Sequence, residues 1–145
     1  MQNVTTDVSN ISSSQCWEFL QQKDSNMYLI DTRSPEEWKE TGIADLSSTN
    51  KETILISWNF FTPYIHHNDD FLKQVNQTVP NKEAHLFFIC KSGGRSAQAA
   101  NAAAKDGYKN CYNVSDGFVG NSFDENLNDL NLNGWINSKL PRKAR

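Results

Sequence analysis

Ala84-His85-Leu86-Phe87-Phe88-Ile89-Cys90-Lys91-Ser92-Gly93-Gly94-Arg95-Ser96 is the stretch that decides the fold. Residues 84–89 form a short, almost continuous apolar run of the kind a buried parallel strand shows, and the run ends on a cysteine. Beyond the two glycines, alanines at 97, 99, 100, 102, 103 and 104 combine high helix propensity with side chains small enough to pack closely on a sheet. A strand therefore delivers Cys90 to a glycine-rich turn that opens a helix. If the N–H groups of residues 91–95 converge, that turn is an anion nest at a helix N-terminus, with Lys91 and Arg95 adding positive charge. Such a setting favours a thiolate over a thiol. Cys90 is the candidate nucleophile, and Lys91, Ser92, Gly93, Gly94, Arg95 and Ser96 are the candidate substrate-binding residues.

Strand and helix signals alternate on either side of this stretch. Ser12 with Gln15 fits a capping box, and Cys16, Phe19 and Leu20 share one helical face. Residues 27–30 read as a buried strand. Ser34-Pro35-Glu36-Glu37 then supplies a cap residue, a proline at the first helical position and Glu at the third, and Gly42 ends that helix. Residues 53–58 are rich in β-branched and apolar side chains and predict a third strand. Asn68, followed by Asp69 and Asp70, predicts the cap of a helix through Val75. Residues 110–114 predict the last strand, Val8 lies in a short edge strand, and Trp135 is expected in a short terminal helix after a covering loop. The alternation predicts an α/β fold with a central parallel sheet of about five strands and helices on both faces. Sites in such sheets form beyond the carboxyl ends of strands, where Cys90 falls.

Two families join a strand, a cysteine-headed loop, an arginine and a helix: rhodanese sulfurtransferases and cysteine-based phosphatases. Phosphatases place five residues between Cys and Arg, whereas here only Lys91, Ser92, Gly93 and Gly94 intervene, so the loop resembles the rhodanese version. The segment Leu29-Ile30-Asp31-Thr32-Arg33-Ser34-Pro35-Glu36-Glu37-Trp38 is similar to the rhodanese strand, Asp-x-Arg and acidic-aromatic helix turn. Gly107-Tyr108, then Tyr112-Asn113-Val114-Ser115-Asp116-Gly117-Phe118, resemble the last strand and its glycine-rich exit. Asn133-Gly134-Trp135 with Leu140-Pro141 resembles the ending of single-domain rhodaneses. One departure is visible: the family's Gly-His-Ile reads Gly42-Ile43 here, which alters packing near the loop more than its chemistry.

The resemblance implies a single rhodanese-like domain over residues 1–145 acting as a sulfurtransferase. Cys90 would take sulfane sulfur from a small anionic donor such as thiosulfate, hold it as a persulfide, and pass it to a thiol, to cyanide or to a sulfur-acceptor protein. No metal or organic cofactor is required. Asp31 and Arg33 are expected in a supporting role, since alternate residues share a face and an Asp–Arg pair can tie neighbouring loops. The alternatives are a non-enzymatic sulfur-carrier or protein-interaction module and a cysteine-based phosphatase or arsenate reductase.

Composition narrows the field further. At 145 residues with 37% hydrophobic content, the chain suffices for one domain that buries roughly two-thirds of its unfolded surface. A net charge of −3 gives no general attraction to nucleic acid or to an anionic membrane, and the local cations at 91 and 95 suit a small anion better than a polymer. There is no basic-plus-apolar leader and no run of 18 or more apolar residues, so a cytoplasmic location is expected. Cys16, Cys90 and Cys111 cannot all pair, and Cys16 and Cys111 read as small buried hydrophobes. His66-His67 beside Asp69-Asp70 lacks a third histidine or a CxxC, so a solvated loop is expected there rather than a metal site. His85 reads as a structural residue.

Overall fold

A computed structural model of the chain describes residues 8–121 and 133–145. Five parallel strands form the central sheet: β1 (Val8–Ile11), β2 (Met27–Asp31), β4 (Ile54–Leu55), β7 (His85–Ile89) and β8 (Asn110–Val114), in the order β1-β8-β7-β2-β4. Strand β7 is central, paired along its whole length with β2 and over residues 85–88 with β8, so its carboxyl end opens between two further strand ends. Among the described residues four α-helices accompany the sheet: α1 (Ser13–Leu20), α2 (Pro35–Thr41), α3 (Phe71–Thr78) and α4 (Gly94–Lys105). Short antiparallel pairs complete the structure, β3 (Ile43–Ala44) with β9 (Arg142–Lys143) and β5 (Asn59–Phe60) with β6 (His66–His67).

Strand alternation divides the core in two. Leu86 and Phe88 of β7 face α3 and α4, meeting Phe71, Val75, Ala99, Ala100 and Ala103. Phe87 and Ile89 face the other side, where Cys16 and Leu20 of α1 pack with Leu46, Phe118 and Trp135. The alanines of α4 thus lie directly on the sheet, which brings the N-terminus of that helix close to the end of β7. Both expected capping boxes form: Ser12 with Gln15 opens α1, and Ser34 with Glu37 opens α2 behind Pro35.

Several local expectations need correction. The third strand is a ladder of only Ile54 and Leu55, because its partner β2 ends at Asp31 and turns into the next loop. Backbone bonds from Ile56 N–H to Asp31 O and from Trp58 N–H to Thr32 O still hold the following residues beside that turn. Asn68 does not cap α3: its amide donates to Ser57 O and its oxygen accepts from Asp70 N–H, and the helix starts at Phe71 and runs to Thr78. Trp135 is fully buried in a run of hydrogen-bonded turns rather than a helix. The edge strand expected at Val8 is present as β1, and α4 begins at Gly94, directly after the left-handed Gly93. The expected covering loop falls partly in 122–132, outside the described residues.

Phe88 is fully buried and within 6.3 Å of Phe71, ring centre to ring centre. Phe88→Ala should destabilise the protein by about 3–5 kcal/mol, read as a lower urea midpoint at unchanged slope.

Candidate active site

Cys90 follows β7 directly and is almost completely buried. Its sulfur accepts a hydrogen bond from Gly93 N–H at 3.1 Å and lies 3.2 Å from the Ser96 hydroxyl oxygen. The four-residue spacer therefore folds back on the sulfur. Gly93 is the N-cap of α4 with φ of 104°, and the amides of the helix's first turn have no carbonyl partner within the helix. A donor set fixed in this way stabilises negative charge on sulfur without reorganising.

Tight backbone contacts set the loop's shape. Phe118 N–H donates to Cys90 O at 2.7 Å, and Val119 and Gly120 N–H donate to Lys91 O at 3.0 and 3.2 Å. The Asn121 amide bridges Ser92 O and Ser115 O. A Cβ at Gly93 would collide with the Ser115 carbonyl, and one at Gly117, with φ of 71°, would collide with the Lys91 carbonyl. Gly94 differs, since a Cβ there meets nothing within 4 Å. Only the first of the loop's two glycines is sterically required.

Charge at the site is organised as two ion pairs. Asp31 and Arg33 are buried together at 2.7 Å, and Arg33 also donates to Gly42 O and to the Thr41 hydroxyl while its guanidinium lies 4.2 Å from the Phe118 ring centre. This pair joins the end of β2 to the end of α2 and to the exit segment that clasps Cys90. Arg95, expected to face an incoming anion, places its fork on Glu37 instead, in a bidentate pair of 2.7 and 2.9 Å. Glu37 thus serves both the α2 capping box and the active loop. Burial opposes its ionisation, but hydrogen bonds from Arg95 and Ser34 with the Arg95 charge outweigh that penalty and hold the carboxyl below the usual glutamate range. Lys91 is exposed and makes no ion pair with the described residues, so it supplies the free positive charge at the mouth.

Ser96 and Asn113 were not read together from the sequence, yet their side chains meet at 2.6 Å beneath the sulfur. The other thiols are unsuited to nucleophilic work. Burial pushes the Cys16 thiol up, with Asp116 adding to the effect, and burial pushes Cys111 up to about 12 despite a smaller opposing pull from Lys82. His67 lies against the Trp58 ring and His85 lies within 3.1 Å of the Tyr112 hydroxyl. Among the described residues no group of three His, Cys, Asp or Glu side chains is arranged to hold a metal, and no helix is long and apolar enough to cross a membrane.

A parallel α/β sheet with a buried cysteine on a short loop between its central strand and a helix defines a class of sulfur-handling and phosphate-handling domains. Residues 12–122 match the family model of the rhodanese-like domain, and the chain belongs to that family. It is 41% identical over 134 residues to an uncharacterized protein of Rickettsia conorii, covering 92% of this chain and 96% of that one. The crystal structure of Rv0390 from M. tuberculosis superposes with a TM-score of 0.78 at 31% identity, covering 95% of this chain and 98% of the other. The polysulfide-sulfur transferase homodimer of Wolinella succinogenes shares the fold, with a TM-score of 0.63 at 22% identity over 96% of this chain and 80% of that one.

Gly93→Ala should disrupt the loop and cost about 1–3 kcal/mol, whereas Gly94→Ala, at the first position of α4, should be neutral or stabilise by up to about 1 kcal/mol. Denaturant midpoints of the two variants would check the contrast. Glu37 gives a pH prediction. Its folded pKa lies below the unfolded value of about 4.3, so the pair's contribution is complete above that pH and is lost as pH falls through the folded pKa. The stability gap between wild type and Glu37→Gln should therefore be constant near neutrality and shrink in acid below about pH 4.

Proposed function

We propose that this protein is a sulfurtransferase that carries sulfane sulfur as a persulfide on Cys90. The observation that supports this most directly is the Cys90 loop, in which four residues precede Arg95 and Gly93 N–H already donates to the sulfur. A cradle so tight suits one added sulfur atom better than a phosphoryl group with three oxygens. In the first half-reaction the Cys90 thiolate attacks the outer sulfur of thiosulfate. The donor's S–S bond breaks, sulfite leaves with the electron pair, and Cys90 becomes a persulfide. In the second, cyanide or a thiolate attacks the outer persulfide sulfur and the Cys90 thiolate leaves, restoring the resting site.

Lys91 draws the anionic donor to the mouth, the loop amides of residues 91–95 hold charge on sulfur, and Arg95 acts through Glu37 to fix the loop. Asp31 and Arg33 support the neighbouring strand end. Polysulfide is a second donor worth testing, because a protein of the same fold is a polysulfide-sulfur transferase. A sulfur-acceptor protein would meet the persulfide at the same opening.

Incubation with thiosulfate should add the mass of one sulfur atom, removable by cyanide or dithiothreitol and absent in Cys90→Ala. Label on Cys111 or Cys16, or label persisting in Cys90→Ala, would overturn the assignment. Hydrolysis of aryl phosphates by wild type without any sulfur transfer would favour the phosphatase alternative instead.

A further inference from the structure

Four side-chain and backbone groups beneath Cys90 fix the direction of one proton. Asn113 Nδ2 lies 3.3 Å from the Gly93 carbonyl oxygen and 3.0 Å from Asn10 Oδ1. A carbonyl oxygen can only accept, so the amide nitrogen of Asn113 must face Gly93 and its oxygen must face Ser96. Ser96 Oγ sits 2.6 Å from that oxygen, and the Asn113 oxygen carries no hydrogen. The single Ser96 proton is therefore donated to Asn113. Toward Cys90 Sγ, 3.2 Å away, the Ser96 oxygen turns a lone pair, which can accept from a thiol S–H. Ser96 is fully buried and Asn113 nearly so, leaving the pair little water to exchange with.

We propose that Asn113 is a positioning residue that holds the Ser96 proton away from Cys90 in the resting thiol and yields it once the sulfur ionises. The proposal rests on Cys90 being the sulfur-carrying nucleophile. When the Cys90 S–H proton leaves to solvent, the Ser96 hydroxyl rotates about its Cβ–Oγ bond, gives up Asn113 Oδ1 and donates to the sulfur anion. No covalent bond at Ser96 changes and nothing is oxidised or reduced. Asn113 thereby competes with the thiolate for one donor and keeps the empty site in its less reactive form, while donor binding and sulfur loading draw the hydroxyl across. Of the charged groups on the elements packed around the loop, Arg95 interacts electrostatically with Cys90, and the others are Lys91, Glu37 on α2, the Asp31–Arg33 pair at the end of β2 and Asp116 beyond β8. All of them are left unchanged by the substitutions below.

The test is the thiolate absorbance of the full chain at neutral pH, corrected with Cys90→Ser versions of each variant. Asn113→Leu removes the competing acceptor, so the thiolate-to-thiol ratio should rise on the order of tenfold, about 1.4 kcal/mol. The rise should vanish in Asn113→Leu combined with Ser96→Ala, since it requires the freed hydroxyl. A rise that survives without Ser96 would mean a merely loosened loop, and no rise in folded Asn113→Leu would remove the competition; either overturns the proposal. If Asn113→Leu does not fold, the infrared S–H band of Cys90 decides. It should sit at the hydrogen-bonded position in wild type and move to the free-thiol position in Ser96→Ala, and an unmoved band would refute the arrangement. A thiolate gain dependent on Ser96 in a protein that transfers no sulfur would strike the sulfurtransferase reading and leave the role of Asn113 standing.

Discussion

The clasp between the exit of β8 and the Cys90 loop is the constraint on which the site depends. A loop of four residues between a strand and a helix has too few internal hydrogen bonds to hold its own shape, and its carbonyls must find donors elsewhere. Here Phe118, Val119 and Gly120 donate to the carbonyls of Cys90 and Lys91. Gly117 permits this approach, since any side chain there would strike the Lys91 carbonyl. With the carbonyls drawn toward the exit segment, Gly93 N–H is left to donate to the Cys90 sulfur at 3.1 Å. The same segment is anchored from below by Asp116, whose carboxylate accepts from Ser13 N–H, from the Ser13 hydroxyl and from Gly134 N–H. The start of α1, the end of β8 and the turn at Trp135 therefore share one buried acceptor, and displacement of any of them reaches the cysteine loop.

The two arginines divide the electrostatic work. A buried guanidinium is tolerable only when its hydrogen-bonding edge is satisfied, and Arg33 achieves this with Asp31, Thr41 and Gly42, while its face covers Phe118. It is a structural rivet. Arg95 is partly exposed and spends its fork on Glu37, so its charge is largely compensated at the mouth. The consequence is that Lys91 is left as the exposed cation of the loop with no ion pair among the described residues. With both arginine charges compensated, the backbone donor in contact with the Cys90 sulfur is Gly93 N–H at 3.1 Å.

What was legible in the sequence was local in origin. The β7-loop-α4 unit, both capping boxes and the Asp31–Arg33 pair each depend on residues within a few positions of one another, so the pattern carries them. What was missed links distant residues. Glu37 and Arg95 are 58 positions apart, and Ser96 and Asn113 are 17 apart on a helix and a neighbouring strand. Nothing in the composition of either segment marks the partner. The α2 capping box in fact concealed Glu37's second role, because its capping motif already accounted for an acid at that position. The β3-β9 pair was invisible for a related reason: two-residue strands bury too little to leave a periodic signature, and their pairing joins positions about a hundred residues apart. The missed start of α3 came from competition, since Asn68 can cap a helix or bond a loop, and the Ser57 carbonyl provided the better partner.

The Gly93 carbonyl shows how local helix chemistry and the reactive sulfur become one system. It accepts the first intrahelical bond of α4 from Ala97 N–H and a second bond from the Asn113 amide, while the N–H of the same residue donates to Cys90. Gly93 therefore couples the register of the helix, the orientation of the Asn113 amide and the position of the sulfur through one residue, its N–H lying in the peptide shared with Ser92 and its carbonyl in the peptide shared with Gly94. The φ and ψ of Gly93 set the angle between these two peptides, so one backbone conformation satisfies the sulfur on one side and the helix and Asn113 on the other. Donors fixed in advance of the charge they stabilise contribute more than donors that must reorganise. The left-handed backbone at Gly93 keeps the loop in that arrangement, and the close Ser115 carbonyl reserves the position for glycine.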